Sequence, residues 1–353
     1  MIKDVPEGKT SFEFVVGDSI KTLREIPDNS INCVITSPPY WQQRIYEDYD
    51  GEMTEIIGSE NTPEEYVENL MKIIREVQRV LKYDGTFWLN IGDKFVDKCL
   101  MGMPWRVALA MQQEGWILRS DIIWDQMKGT QSCKDRFRDI YEHVFQFVKS
   151  KKYYFDAEPI RIVPEKDAYD KDGTIISATG VSGKKYFKQI ETSNVLTEEE
   201  KKNALNALNE TLEEMRRGEV VDFRMTIRGE QRTYHSENKK VSGRAKELND
   251  KGYFIMKMRK KGFLPSDIWR IVPEDTWRKD THCAVFPEEL LRIPILSTCP
   301  EDGIVLDPFS GTGSTVDAAV KLGRRGIGID LSHQYTEIAR KRVIKDGQLK
   351  LNI

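Results

Sequence analysis

The sequence is poor in the residues that build covalent or metal-held folds. Its five cysteines (Cys33, Cys99, Cys133, Cys283 and Cys299) are scattered and form no C-x-x-C. That argues against a disulfide framework and a thiolate metal site, and it suits a reducing compartment. Histidine is as sparse. His143, His235, His282 and His333 stand far apart and no H-E-x-x-H occurs, so no metal is expected. No stretch approaches the ~18 consecutive apolar residues of a membrane helix, and no membrane association is expected. The opening residues hold no apolar secretory core, so a cytoplasmic location is the expectation. Nor does either charge dominate: 54 Lys+Arg face 57 Asp+Glu, for a formal net charge of -3. The near balance argues against wholesale disorder and gives no global hint of nucleic acid. The 353 residues suffice for a full core, in two domains or in one with a large insertion.

What is present reads as alternating strand and helix over the first 150 residues. Phe12–Val16 and Ile31–Ile35 are strand candidates, the second stopped by Pro38-Pro39. Thr62-Pro63-Glu64-Glu65 has the form of a helix start: a Thr cap, Pro at the first position and Glu three residues on. Tyr66, Leu70, Ile73, Ile74, Val77 and Leu81 then recur at helical spacing until Asp84-Gly85. Thr86–Ile91 follows as a buried strand, Trp105–Glu114 as a helix, and Leu118–Trp124 and His143–Val148 as further strands. From Pro164 to Lys261 the chain turns polar, with one evident helix opened by the capping box Thr197–Glu200. Arg224 to Lys261 holds twelve basic and four acidic residues. So basic a segment in an acidic chain is either a nucleic-acid face or a solvated charged loop. Near the C-terminus the alternation resumes. Gly303–Asp307 and Gly326–Asp330 read as strands, Ser314–Leu322 as a helix, and Ser332 as the cap of another helix.

Two constellations carry chemistry. In the first, a strand ends at Asp307 and the chain turns at Gly311 and Gly313 into a helix, with Asp330 ending the next strand. Glycines admit a ligand close to the backbone, and the acidic residue can accept from two ribose hydroxyls. A nucleoside-containing cofactor is implied. Val316 replaces the third glycine of G-x-G-x-x-G, which weakens a dehydrogenase reading. In the second, Thr36-Ser37-Pro38-Pro39-Tyr40-Trp41 follows a strand. The prolines fix the backbone, and their carbonyls with the Ser37 hydroxyl make an acceptor-rich pocket for an exocyclic amine. Tyr40 offers a flat face for a planar base.

Ser37-Pro38-Pro39-Tyr40 together with Asp307-Pro308-Phe309-Ser310-Gly311-Thr312-Gly313-Ser314 resembles the paired motifs of the S-adenosylmethionine-dependent amino-group DNA methyltransferases. The catalytic motif comes first, the cofactor motif last and a variable basic region between, as in the β group of that family. Thr281–Leu290, Asp121–Trp124, Lys134–Phe137, Tyr141–Phe145 and Ser150–Phe155 resemble further family segments. The resemblance implies an α/β, circularly permuted Rossmann-like class I methyltransferase fold with an inserted target-recognition region. It places the catalytic half at 12–160, the insertion at 161–261 and the cofactor-binding half at 262–350. It implies catalysis by Ser37, Pro38, Pro39 and Tyr40. Asp18, Thr36, His282, Phe286, Asp307, Phe309, Gly311, Gly313, Ser314 and Asp330 would bind S-adenosyl-L-methionine. Arg224, Arg228, Arg232, Lys239, Lys240 and Arg244 would contact double-stranded DNA. The chain departs from the family at Asp125–Cys133, where many relatives carry a Pro/Asn-rich loop near the flipped base.

The implied reaction is direct methyl transfer to a flipped base, without a covalent enzyme intermediate; the Pro-Cys-Gln of ring-carbon cytosine methyltransferases is absent. Within the family, Ser at the first motif position goes more often with N4 of cytosine and Asp with N6 of adenine, so N4-cytosine is expected and N6-adenine is the alternative. An RNA or protein-glutamine methyltransferase and an inactive DNA-binding module remain as other classes. A cognate restriction endonuclease and a homodimer are the partnerships the family suggests.

Overall fold

The computed structural model describes residues 4–43, 56–127, 133–230, 243–273 and 286–350, with side chains to 344. The chain divides into two units, Met1–Ile160 with Ser266–Ile353, and Arg161–Pro265.

In the larger unit, β1 (Phe12–Val16) leads through the short α1 (Ser19–Leu23) to β2 (Ile31–Thr36). The next helix, α2 (Pro63–Val80), starts where the capping signals place it. Glu65 N–H donates to Thr62 Oγ1 at 3.2 Å and Thr62 N–H donates to Glu65 Oε2 at 3.1 Å. The helix stops one residue short of the periodic pattern, because Leu81 is already extended and opens β3 (Leu81–Ile91). Gly85, expected to end the helix, lies inside that strand. A Cβ there would meet Leu81 Cδ1 at 2.7 Å and the Asn32 carbonyl at 2.8 Å, so the glycine lets β3 lie close against β2. A small hairpin of β4 (Phe95–Val96) and β5 (Cys99–Leu100) precedes α3 (Met103–Gln113), β6 (Ile117–Asp125) and β7 (Tyr141–Val148).

The smaller unit contains a hairpin of β8 (Tyr169–Lys171) and β9 (Thr174–Ile176), then α4 (Lys184–Thr192) and α5 (Glu198–Arg216). Next come β10 (Val220–Ile227), α6 (Arg244–Lys251) and β11 (Tyr253–Arg259), with β10 and β11 antiparallel. The polar composition left this region as an insertion or a small second domain, with one evident helix. The segment buries a core of its own, including Tyr186, Ile190, Leu208, Met215, Phe223 and Met225. Its apolar residues are few but converge from separate elements, a convergence that the pattern within any one element does not state.

The chain then completes the larger unit with β12 (Ile268–Arg270), α7 (Glu288–Thr298), β13 (Ile304–Asp307), α8 (Ser314–Lys321), β14 (Arg325–Asp330) and α9 (His333–Lys350). The eight-stranded sheet runs β1-β14-β13-β2-β3-β7-β6-β12. Its strands pair in parallel except for β7, which is antiparallel to β3 and β6. The C-terminal β13 and β14 are thus inserted between the N-terminal β1 and β2. Both sheet faces are covered. Val34 on β2 joins the cluster with α2, and Cys33 and Ile35 join the cluster with Leu290, Leu291 and Ile295 of α7. From β13 the chain proceeds to β14 on one side, whereas from β2 it proceeds to β3 on the other. The connections diverge at the carboxyl ends of β2 and β13, where open α/β sheets form their ligand crevice.

Candidate active site

Both chemical motifs lie at that crevice, 271 residues apart in sequence and joined by one hydrogen bond. Thr36, the last residue of β2, donates through Oγ1 to Asp307 Oδ1 at 2.6 Å. Asp307 ends β13 and is buried. Its other oxygen accepts from Thr315 Oγ1 at 2.6 Å, and Phe309 N–H donates to Oδ1 at 3.0 Å. Burial pushes this carboxyl up to about 6, against the pull of its three donors. With both oxygens engaged inside the protein, Asp307 ties the two turns together.

Beyond Thr36, Pro38 is buried and Ser37, Pro39 and Tyr40 are half-buried. The two proline carbonyls do not share the pocket equally. Tyr66 on α2 donates its hydroxyl to the Pro39 carbonyl at 3.0 Å, so Pro39 already has a partner. Behind Ser37 lies a polar network. The Ser37 hydroxyl donates to Tyr40 Oη at 3.1 Å, and the Tyr40 hydroxyl donates to Glu142 Oε2 at 2.6 Å. Asn90 Nδ2 reaches Tyr40 Oη at 2.6 Å, Glu142 Oε2 at 2.7 Å and Ser37 Oγ at 3.3 Å. Gln126 Nε2 donates to Glu142 Oε1 at 2.9 Å. Burial raises the Glu142 carboxyl above the usual glutamate range while these donors oppose the shift, and burial beside Glu142 raises the Tyr40 phenol well above its usual value. Gly92 makes room for the tyrosine ring, since a Cβ there would lie 2.8 Å from Tyr40 Cε2. Asn90, Gln126 and Glu142 are not among the residues that motif reading selects. The signal that could have found Glu142 is its place in the family-like Tyr141–Phe145 segment, as an acid at the start of a largely buried strand.

The glycine turn is held mostly by its backbone. Gly311 has φ +49° and its N–H donates to Asp330 Oδ2 at 2.8 Å; Ser332 N–H donates to Asp330 Oδ1 at 2.8 Å. One lone-pair direction on each Asp330 oxygen remains for a pair of ribose hydroxyls. Burial raises this carboxyl, with the two backbone donors opposing. Gly313, at φ +79°, is required for a different reason. A Cβ would meet Ala339 Cβ at 2.6 Å and Phe14 Cζ at 2.8 Å, so this glycine serves helix packing. The residues fit a nucleoside-bearing cofactor at Asp330 and Gly311.

The remaining expected site residues are placed unevenly. Asp18 caps α1 by accepting from Lys21 N–H at 2.9 Å, and the adjoining Ser19 donates to the Pro308 carbonyl at 2.7 Å, which sets Asp18 beside the turn. Phe309 packs on the core, Ser314 accepts from Arg342 Nη1 at 2.7 Å, and Phe286 stacks on Trp124. In the smaller unit, Arg224 is paired with Asp222 and Arg228 with both oxygens of Glu200. Their charge is compensated locally. Lys257 and Lys260 likewise pair with Glu214 and Asp167. Arg244, the first residue of α6, is exposed. His282, Arg232, Lys239, Lys240 and most of the Asp125–Cys133 loop lie outside the described residues. Among the described residues no cluster could hold a metal ion, and no helix is long and apolar enough to cross a membrane.

A permuted, doubly wound sheet with an acceptor-rich Pro-Pro turn beside a nucleoside turn defines the class I methyltransferase architecture. Residues 31–341 match the family described as DNA methylase, of N6/N4 type. Type II methyltransferase M.SfiI of Streptomyces fimbriatus is 31% identical over 383 residues, covering 92% of this chain and 89% of that protein. Type II methyltransferase M.SmaI of Serratia marcescens is 27% identical, over 95% of this chain and 91% of that protein. Among solved structures, PvuII DNA methyltransferase (cytosine-N4-specific) shares the fold. Its TM-score is 0.57 at 18% identity, over 94% of this chain and 86% of that one. The chain belongs to the N6/N4 DNA methylase family, whose members are S-adenosyl-L-methionine-dependent amino-methyltransferases of DNA.

Proposed function

We propose that this DNA methyltransferase transfers the methyl group of S-adenosyl-L-methionine to N4 of a cytosine flipped out of double-stranded DNA. The observation that carries this reading is the Thr36–Asp307 bond, which sets the Ser37 turn and the glycine turn side by side. When bound, the cofactor supplies an electrophilic methyl on a sulfonium. Asp330 and the Gly311 turn would hold its ribose, with Asp18 and Phe286 close to the flanking elements. The amine of a cytosine is a weak nucleophile because its lone pair is delocalised into the ring. Ser37 Oγ and the Pro38 carbonyl would accept its two hydrogens and favour a pyramidal, reactive nitrogen. Positioning and fixed dipoles would supply most of the rate.

Cytosine is favoured over adenine by the serine at position 37, and the structurally similar PvuII enzyme bears the name cytosine-N4-specific. The smaller unit, 161–265, would recognise the target, with Arg244 and the basic residues around it meeting phosphate. The relatives' Type II designation supports a cytoplasmic restriction-modification role beside an endonuclease, with a monomer or homodimer as the working form. The test is mass spectrometry of nucleosides from DNA treated with the protein and isotope-labelled S-adenosylmethionine. Labelled N4-methylcytosine is expected; labelled N6-methyladenine would reassign the base and keep the mechanism, and no labelled base would overturn the reading.

A further inference from the structure

The network behind Ser37 contains one group that positioning an amine does not require, a half-buried carboxylate. We propose that Glu142 is the terminal proton acceptor of a relay that starts at Ser37 Oγ and passes through Tyr40 Oη. The proposal deepens the reading of Ser37 given above and rests on it.

The geometry runs one way. The Ser37 hydroxyl donates to Tyr40 at 3.1 Å and the Tyr40 hydroxyl donates to Glu142 at 2.6 Å, so each proton already points toward the carboxylate. Asn90 has only two amide hydrogens for its three oxygen contacts and holds all three members of the chain in reach of one another. Gln126 occupies the second Glu142 oxygen and fixes the carboxylate's rotation.

Methylation creates the need for such a path. The nitrogen lone pair forms the new N–C bond as the C–S bond breaks, and its electron pair stays on sulfur. The nitrogen then carries one proton too many. That proton passes to Ser37 Oγ, the proton of Ser37 to Tyr40 Oη, and that of Tyr40 to Glu142 Oε2. Both hydroxyls end neutral, the base ends neutral, and Glu142 ends as the acid. A partly desolvated carboxylate with raised proton affinity suits the terminal position. The titratable groups around it are few among the described residues. Tyr40 lies against it, Asp139 disfavours its charge, and Tyr66 acts on Tyr40.

Glu142→Gln and Tyr40→Phe, each nearly isosteric, provide the test. In the protein alone, an infrared pH titration should show a protonated carboxyl band with a midpoint above the usual glutamate value. The Glu142 component, separated from those of Asp307 and Asp330 as the difference between wild type and E142Q, should move to higher pH in Y40F, which removes a donor to the ionised form. In single-turnover methyl transfer, the wild-type rate should fall at acidic pH as Glu142 becomes protonated. E142Q should lose about 10²-fold in rate and lose that acidic limb. Y40F should lose the limb as well, and the double variant should be no slower than the slower single one. Glu142→Asp should restore part of the limb. Equilibrium titration of S-adenosylmethionine should give unchanged affinity in all of them. An E142Q enzyme within about twofold of wild type with the limb intact would overturn the relay, as would losses that multiply in the double variant. If E142Q fails to fold, Y40F and the infrared titration decide the matter. Methyl transfer by the wild-type protein is the control: its absence counts against the parent reading, whereas transfer without the predicted differences counts against the relay alone.

Discussion

At the end of β2 the chain is stiffened by Pro38 and Pro39 and held by side chains, through Tyr66, Tyr40, Asn90 and Glu142. At the end of β13 it is turned by Gly311 and Gly313 and held by its own amides, with Asp330 as the acceptor. On the proposed function, the difference follows from what each turn would meet. An amine needs acceptors at fixed distances, and the Pro38 carbonyl with a locked serine would provide them, while Tyr66 occupies the Pro39 carbonyl. A ribose needs a carboxylate and close backbone approach, which glycine allows. The first turn is therefore expected to govern rate and the second to govern affinity.

That division can be broken in order of effect. Ser37→Ala should lower single-turnover methyl transfer by about 10²–10³-fold, the scale of losing one preorganised polar partner in a transition state. Affinity for S-adenosylmethionine should stay within twofold by equilibrium titration, and an unchanged rate would remove Ser37 from the mechanism. Asp330→Ala should do the reverse. It should weaken cofactor binding by about 1.5–3 kcal/mol, the range for hydrogen bonds to a charged group, with a smaller effect on the rate at saturation.

The link between the turns is expected to respond to pH. Asp307 binds its proton more tightly in the fold (about 6) than in the unfolded chain (3.8). The native state therefore holds more protons between those values, and stability should fall as pH rises through that window and level off above it. The expected size is of order 2–3 kcal/mol, at about 1.4 kcal/mol for each tenfold change in proton affinity. Asp307→Asn should flatten the slope in urea unfolding measured between pH 4 and 7; a slope that persists unchanged would assign the effect to other carboxyls.

The smallest effects concern the basic residues. Arg228→Met should destabilise the smaller unit by about 1 kcal/mol through loss of its partly buried pair with Glu200, with little change in the salt dependence of DNA binding. Arg244→Ala should instead reduce the slope of log affinity against log salt by about 1, one phosphate contact, and leave thermal unfolding unchanged. Equal behaviour of the two variants would erase the distinction between structural and DNA-facing cations.

The sequence was most legible where structure is local. The Thr62 and Thr197 capping boxes, the glycine turn and the Ser332 cap each depend on residues within a few positions, and each forms as its pattern indicates. The smaller unit was least legible. Its core joins side chains such as Tyr186 and Phe223 from short elements in a stretch that is polar as a whole. The basic segment was legible as composition but not as partnership, because Glu200 and Glu214, which neutralise Arg228 and Lys257, lie outside it.

The sequence by itself determined the two motifs, their permuted order and the family they belong to, because these are written in contiguous residues. Only the tertiary structure decided that Thr36 would clasp Asp307 and that Glu142 would stand behind Ser37. These are contacts between residues 271 and about a hundred positions apart. No local propensity encodes them. They exist because the sheet inserts β13 beside β2 and β7 beside β3, bringing distant strand ends to one edge.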